Sequence, residues 1–193
     1  MTGERAGARE RILHAAYRLF TRHGLDAVGV DRVISEAGVA KSTLYRHFRS
    51  KDELIIAVLD RRDATWTQAW LRAEVERRAS NPLERLLAIF DALDEWFQRD
   101  DFEGCLFITS LLETDDHTSP VYAATVAAMG RVRAIIRDLA AEAGAGDPES
   151  VARRLHILMT GSIVGAEEGA LDAARSAREV AALVLEAEGF NPS

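Results

Sequence analysis

The chain has 193 residues, 48% of them hydrophobic and 28% charged, with a formal net charge of −7, which supplies apolar material for one ordinary globular core, or a large and a small one, and excludes a disordered or fibrous polypeptide. Its one cysteine, Cys105, cannot close an internal disulfide, no N-terminal run joins a basic start to an apolar leader, and Arg, Glu or Asp interrupts every hydrophobic stretch well short of the roughly 18 residues a bilayer span needs. A cytoplasmic protein with no membrane partner is expected. The charge is uneven: residues 1–62 hold 12 Lys and Arg against 8 Asp and Glu, a net of +4, while the remainder nets −11, so only the N-terminal third suits a polyanion.

From Ala8 to His23, Ile12, Ala16, Leu19 and Phe20 recur at spacings of three and four, and Gly24 offers a left-handed stop; a first helix is predicted there. Val30, Val33, Ile34 and Ala37 make a second, shorter apolar face closed by Gly38. After a turn of about three residues, "VAKSTLYRHF" opens a third helix with Leu44 and Phe48 on its inner side. Two short helices joined by a glycine-containing turn form a helix-turn-helix, whose second helix can enter the major groove of DNA. Asp52 and Glu53 then place negative charge in the first turn of a helix expected to run from near Ser50 to about Ala79. Asn81-Pro82, Ser119-Pro120 and Asp147-Pro148 each set a capping side chain before a proline at the first helical position, and Glu84 is spaced for a capping box with Asn81. Apolar stripes follow at Leu83, Leu86, Leu87, Phe90, Leu93 and Phe97, and at Val151, Leu155, Leu158, Met159 and Ile163. The expected fold is all-α: a helix-turn-helix domain over 1–50 and a helical bundle over 51–193.

Residues from about 8 to 54, and in particular "GLDAVGVDRVISEAGVAKSTLYRHFRSKDEL", resemble the DNA-binding domain of the tetracycline-repressor (TetR) family of transcriptional regulators. The glycine-terminated first helix, "EAGVAKSTLYRHF" and "SKDEL" stand in the family's order and spacing, over about a quarter of the chain. The resemblance implies an all-α homodimer of about nine helices per chain, with a C-terminal domain that binds a small molecule and dimerises, and an operator usually released when that ligand binds. Two-fold symmetry then calls for a near-palindromic double-stranded operator. Two positions depart from the family's pattern. Gly29, followed by Val30, stands where a capping threonine usually opens the second helix, and Ile34 replaces an inward alanine.

Lys41 and Lys51, at the starts of the third and fourth helices, are expected to meet phosphates, which positions the protein without reading sequence. Gly29 and Val30 would bring backbone N–H groups to a phosphate. Ser42 and Thr43 lie where side chains reach base edges, and Tyr45 and His47 face away from Leu44 and Phe48, toward DNA backbone or base. "ETDDHTSP" gathers Glu113, Asp115, Asp116 and His117, which are metal-ligand types, but it has no second histidine at helical spacing and reads better as a polar loop ending in the Ser119 cap. No metal or other cofactor is expected.

Trp66, Trp70, Phe90, Trp96, Phe97 and Phe107 concentrate aromatic rings in the fourth to sixth helices. This suits an apolar or aromatic effector, although any one of them alone reads as core. Cys105 lacks a nearby Lys or Arg to activate its thiol and reads as a small hydrophobe; in a subset of the family a similar Gly-Cys pair opens the sixth helix beside the pocket. His156 and Met159, on the eighth-helix stripe, complete the candidate ligand set. Gly161, Gly165 and Gly169 repeat every four residues, at about 1 kcal/mol each in a helix, a cost that close approach of another helix would offset. The resemblance places the dimer-forming eighth helix here, and Val180, Leu183, Val184 and Ala187 give the ninth helix an apolar face to join it. No glycine-rich phosphate loop, HExxH or nucleophile elbow is present, so an enzyme is not expected. The competing reading is a helical dimerisation scaffold without DNA binding, favoured only by the weak cap at Gly29.

Overall fold

The computed structural model describes residues 7–190, and among these every regular element is a helix. In chain order they are α1 (Ala8–His23), α2 (Val30–Ala37), α3 (Lys41–His47), α4, α5 (Pro82–Phe97), α6 (Leu106–Glu113), α7 (Pro120–Glu142), α8 (Pro148–Glu167) and α9 (Ala173–Ala187). Helix α4 is one continuous run of three parts: α-helical over Lys51–Arg62, π-wound over Asp63–Leu71 and α-helical again over Arg72–Arg78. Counted so, the described residues form nine helices, and no helix among them is long and apolar enough to cross a membrane.

The caps foreseen at the three X-Pro starts are formed. Asn81 Oδ1 accepts from Glu84 N at 2.9 Å, Ser119 Oγ from Tyr122 N at 3.1 Å and Asp147 Oδ1 from Ser150 N at 3.0 Å. Each satisfies one of the N–H groups that a helix start leaves without an intrahelical partner. Ser50 caps α4 in the same way, accepting from Glu53 N at 3.1 Å, while the Glu53 carboxylate reaches back to Arg49 N at 2.7 Å. At the end of α2, Gly38 takes the left-handed conformation, with φ 60° and ψ 44°. Its N–H bonds Ser35 O and Val39 N–H bonds Ile34 O, a Schellman closure that turns the chain into α3 within three residues.

By contact the described residues fall into two compact units. The first gathers the described residues up to Asp63 together with Cys105–Ala128. Its core is the inward stripe of α1 (Ile12, Leu13, Ala16, Leu19, Phe20) with Val28, Val33, Leu44, Phe48, Leu54 and Val58. Ile34, expected to point inward, is only half-buried; Val33 and Ala37 carry the buried face of α2. Phe48 lies just outside α3, in extended backbone, and is nevertheless 2% exposed.

The second unit gathers Ala64–Gly104 with the described residues from Met129 onward. Here α9 packs along α8 and α5, burying Leu86, Phe90, Leu93, Leu155, Met159, Ala181 and Leu185. Surface pairs Arg178–Asp91 at 3.0 Å and Arg175–Asp94 at 3.3 Å tie α9 to α5, and such pairs add little stability individually. The π winding of α4 is not visible in the apolar pattern. A four-residue step overshoots a full turn in an α-helix and falls short of one in the wider π winding, so the two drifts offset each other. Thr67, Leu71 and Val75 consequently stay on one inward side, each at most 2% exposed. A second difference concerns Gly169: α8 ends at Glu167, and Gly169, with φ 103°, lies in the turn beyond it. Only Gly161 and Gly165 therefore sit inside the helix.

Candidate functional site

Helix α3 presents two opposite sides. Leu44 is fully buried, whereas Lys41, Ser42, Tyr45 and Arg46 are exposed and Thr43 and His47 are half-buried. Tyr45 shows 42% of its surface, a large amount for an aromatic side chain with no core role. Lys41 Nζ lies 3.2 Å from Asp31 Oδ1 on α2, with both side chains exposed. A pair of this kind contributes at most about 1 kcal/mol and can yield to a phosphate. Beneath α3, the Arg9 guanidinium sits over the Phe48 ring at 5.5 Å, and the His47 ring is tilted 6.3 Å from it.

Gly29 opens α2 in extended backbone without any side-chain cap, and Arg32 N and Val33 N bond its carbonyl. Val30 is half-buried beside it. Arg46 is missing from the set the sequence singles out, although its charge and its place next to Tyr45 were the available signal. Lys51 lines a cleft of about 410 Å³ shared with Asp26, Asp52, Glu113, Asp115 and Asp116, so its cation stands among carboxylates as well as solvent.

The "ETDDHTSP" stretch does not assemble as a metal centre; among the described residues no three His, Cys, Asp or Glu side chains converge to hold an ion. Asp116 Oδ1 accepts from Thr118 Oγ1 at 2.6 Å and from Thr118 N at 2.8 Å. The hydroxyl bond first and the backbone bond second hold its carboxyl below the usual range. His117 stacks on Tyr122, with ring centroids 4.4 Å apart. Glu113 Oε2 instead accepts from Leu25 N at 2.5 Å and from Asp26 N at 3.3 Å, in the loop between α1 and α2.

In the second unit the tryptophans come together. Trp66 lies 5.4 Å from Trp70 and 5.3 Å from Trp96, and Phe97 and Phe102 extend the cluster at 5.8 Å and 4.9 Å from Trp96. Phe102 is outside the sequence-derived set; its loop position gave no periodicity to read. Phe90 and Met159 are buried in the packing of α5 and α8. His156 is half-buried, and burial first, with the Arg133 charge second, pushes its imidazole below its ordinary value. Cys105 and Phe107 belong to the first unit, where Cys105 precedes α6 and Phe107 is buried.

The outer side of α8 and α9 is apolar. Ile157 and Val164 on α8 are 69% and 37% exposed, Val180 and Leu183 on α9 are 44% and 62% exposed, Ala187 is exposed and Val184 half-buried. Gly161 opens onto the same outer side, where an added Cβ would meet nothing within 4 Å. Gly165 differs: a Cβ there would lie 3.2 Å from the Ala173 Cβ of the same chain. Its smallness therefore also serves the α8–α9 contact within one chain.

Comparison with known proteins matches residues 12–58 to the family model described as bacterial regulatory proteins, tetR family, and residues 82–183 to the tetracyclin repressor-like C-terminal domain. A TetR-family transcriptional regulator from Streptomyces coelicolor superposes with a TM-score of 0.83 at 29% identity, covering 95% of this chain and 96% of that one. A tetR-type regulator described from Streptomyces avermitilis gives 0.77 at 28% identity, with 96% and 100% covered. The HTH-type transcriptional activator FasR of Mycolicibacterium smegmatis is 35% identical over 118 residues, which is 61% of this chain and 51% of FasR.

Proposed function

The chain belongs to the TetR family of bacterial regulatory proteins, and we propose that it is a sequence-specific DNA-binding transcription regulator, a homodimeric repressor that a small apolar or aromatic molecule releases from a near-palindromic operator. The observation that carries this reading is the two-sided α3, with Lys41, Ser42, Tyr45 and Arg46 exposed over a buried Leu44. Lys41 and Lys51 take phosphates, Gly29 and Val30 bring the start of α2 to the backbone, Ser42 and Thr43 reach base edges, and Tyr45 and His47 contact backbone or base.

The test is DNA selected from a random pool by the purified protein. Lys41→Ala is expected to weaken selected and scrambled DNA alike and to reduce the salt slope by about one. Thr43→Ala is expected to cost about 1–3 kcal/mol on the selected site and to relax its sequence preference. Equal affinity of the wild-type protein for selected and scrambled DNA would overturn the reading and favour a dimerisation scaffold.

Release by a ligand is supported by the aromatic cluster at Trp66, Trp70 and Trp96, two of whose rings lie on α4, the helix that begins at Lys51. Within the second unit Trp66, Trp70, Phe90, Phe97 and Met159 supply the apolar walls of the proposed site, with His156 as a polar contact. A ligand able to move the population from 1:99 to 99:1 needs about 10⁴-fold preference for the DNA-incompetent state. Any compound that displaces the selected DNA should change tryptophan emission, and Trp66→Ala should weaken it. Unchanged emission and unchanged affinity would move the pocket elsewhere.

The similarity to FasR, named an activator, favours a second reading in which binding raises transcription. A reporter driven through the selected site separates the two: removing the protein raises its output under repression and lowers it under activation.

A further inference from the structure

We propose that Glu113 is a positioning residue for DNA recognition: its carboxylate ties the end of α6 to the loop between α1 and α2 and so holds the reading head in its DNA-binding geometry. The inference rests on the DNA-binding reading above.

Glu113 is the last residue of α6, and its Oε2 accepts from Leu25 N at 2.5 Å and Asp26 N at 3.3 Å, across 88 and 87 residues of sequence. Bonds from two N–H groups to an ionised carboxylate are of the stronger kind. The loop is shaped for the approach. Gly24 has φ 83°, and a Cβ on it would collide with Glu113 Oε1, so this position requires glycine for both its backbone conformation and its bulk. Leu25 and Val28, on either side of Asp26, are 3% and 0% exposed, so the loop is anchored in the core of the first unit. A shift at its centre is therefore passed along the chain.

Electrostatics disfavour an acid here. Glu113 lies at the C-terminal end of its own helix and against Gly24, whose N–H closes the C-terminal end of α1 on Phe20 O. Negative charge at a helix C-terminus opposes the macrodipole. The two N–H donors of the loop provide the compensation, so the residue contributes through the loop and not through the stability of α6. Downstream, Gly29 opens α2 three residues after Asp26, and the Gly38 closure fixes α3 against α2. Displacing the end of α6 thus re-aims α2 and α3 together.

The experiment compares Glu113→Gln, Glu113→Ala and Gly24→Ala in the full-length protein. Amide exchange at Leu25 and Asp26 is read by NMR, and affinity for wild-type-selected and scrambled DNA by fluorescence anisotropy. Removing a negative charge alone would tighten DNA binding slightly. Glu113→Ala is expected to do the opposite on selected DNA, weakening it about tenfold, with protection lost at Leu25 and Asp26 and scrambled DNA unaffected. Glu113→Gln, which keeps an acceptor oxygen at the same reach, should retain both protection and affinity within about threefold. Gly24→Ala should reproduce Glu113→Ala by evicting the carboxylate, and it serves with Glu113→Gln as the test if Glu113→Ala fails to fold. Selected-DNA affinity in Glu113→Ala or Gly24→Ala equal to or tighter than wild type overturns the proposal. A wild-type protein that selects no DNA instead overturns the function on which it rests.

Discussion

Phe48→Ala is expected to lower the stability of the protein by about 3–5 kcal/mol, measured as a shift of the urea midpoint at unchanged slope. Phe48 is 2% exposed, packs below α3 among the side chains of the first unit and carries the Arg9 guanidinium over its ring. Truncation loses the burial of a large ring and leaves a cavity that the close-packed surroundings fill only in part. The control sits three residues away. Tyr45 is 42% exposed, so Tyr45→Ala should change stability by no more than about 0.5 kcal/mol while weakening DNA binding. A stability loss below about 1 kcal/mol for Phe48→Ala would show that the ring is not part of the core.

Those two residues also mark how far the sequence could be read. Leu44 is placed inward and Tyr45 outward by helical spacing, because side-chain direction on a helix follows from position; the same spacing names Phe48 as core, but its burial is reached from extended backbone just beyond α3. The caps at Asn81, Ser119 and Asp147 are legible for a related reason: donor and acceptor lie three residues apart and need no knowledge of the fold. The tie between Glu113 and Leu25 bridges 88 residues, and no local pattern encodes it. Within "ETDDHTSP" the chemistry of Glu113 resembles a metal ligand's, and only packing shows that it meets N–H donors instead. The π winding over Asp63–Leu71 is hidden because its buried positions keep the three- and four-residue spacing of an ordinary amphipathic helix. Gly165 is half-legible: the small residue signals a close approach, but the approaching atom is Ala173 Cβ of the same chain, and spacing cannot tell one chain from two.

That distinction shapes the second large effect, on assembly. If α8 and α9 of two copies pair through the outer side bearing Ile157, Gly161, Val180, Leu183, Val184 and Ala187, Leu183→Glu brings a carboxylate from each copy into a dry interface across a two-fold axis. Leaving such a charge unpaired costs several kcal/mol, and about 3 kcal/mol would already weaken association by more than a hundredfold. Sedimentation velocity at micromolar concentration should then show monomer where the wild-type protein shows dimer. Each monomer should keep its own stability, because Leu183 is 62% exposed within one chain and surface changes of this type stay within about 0.5 kcal/mol. Binding to a two-half-site DNA should fall with the dimer, since each half-site is then held alone. Gly165→Leu provides the contrast: its side chain would strike Ala173 in the same subunit, so it should lower monomer stability before it alters the association constant. A Leu183→Glu protein that still sediments as the wild-type dimer would place the subunit contact on another face.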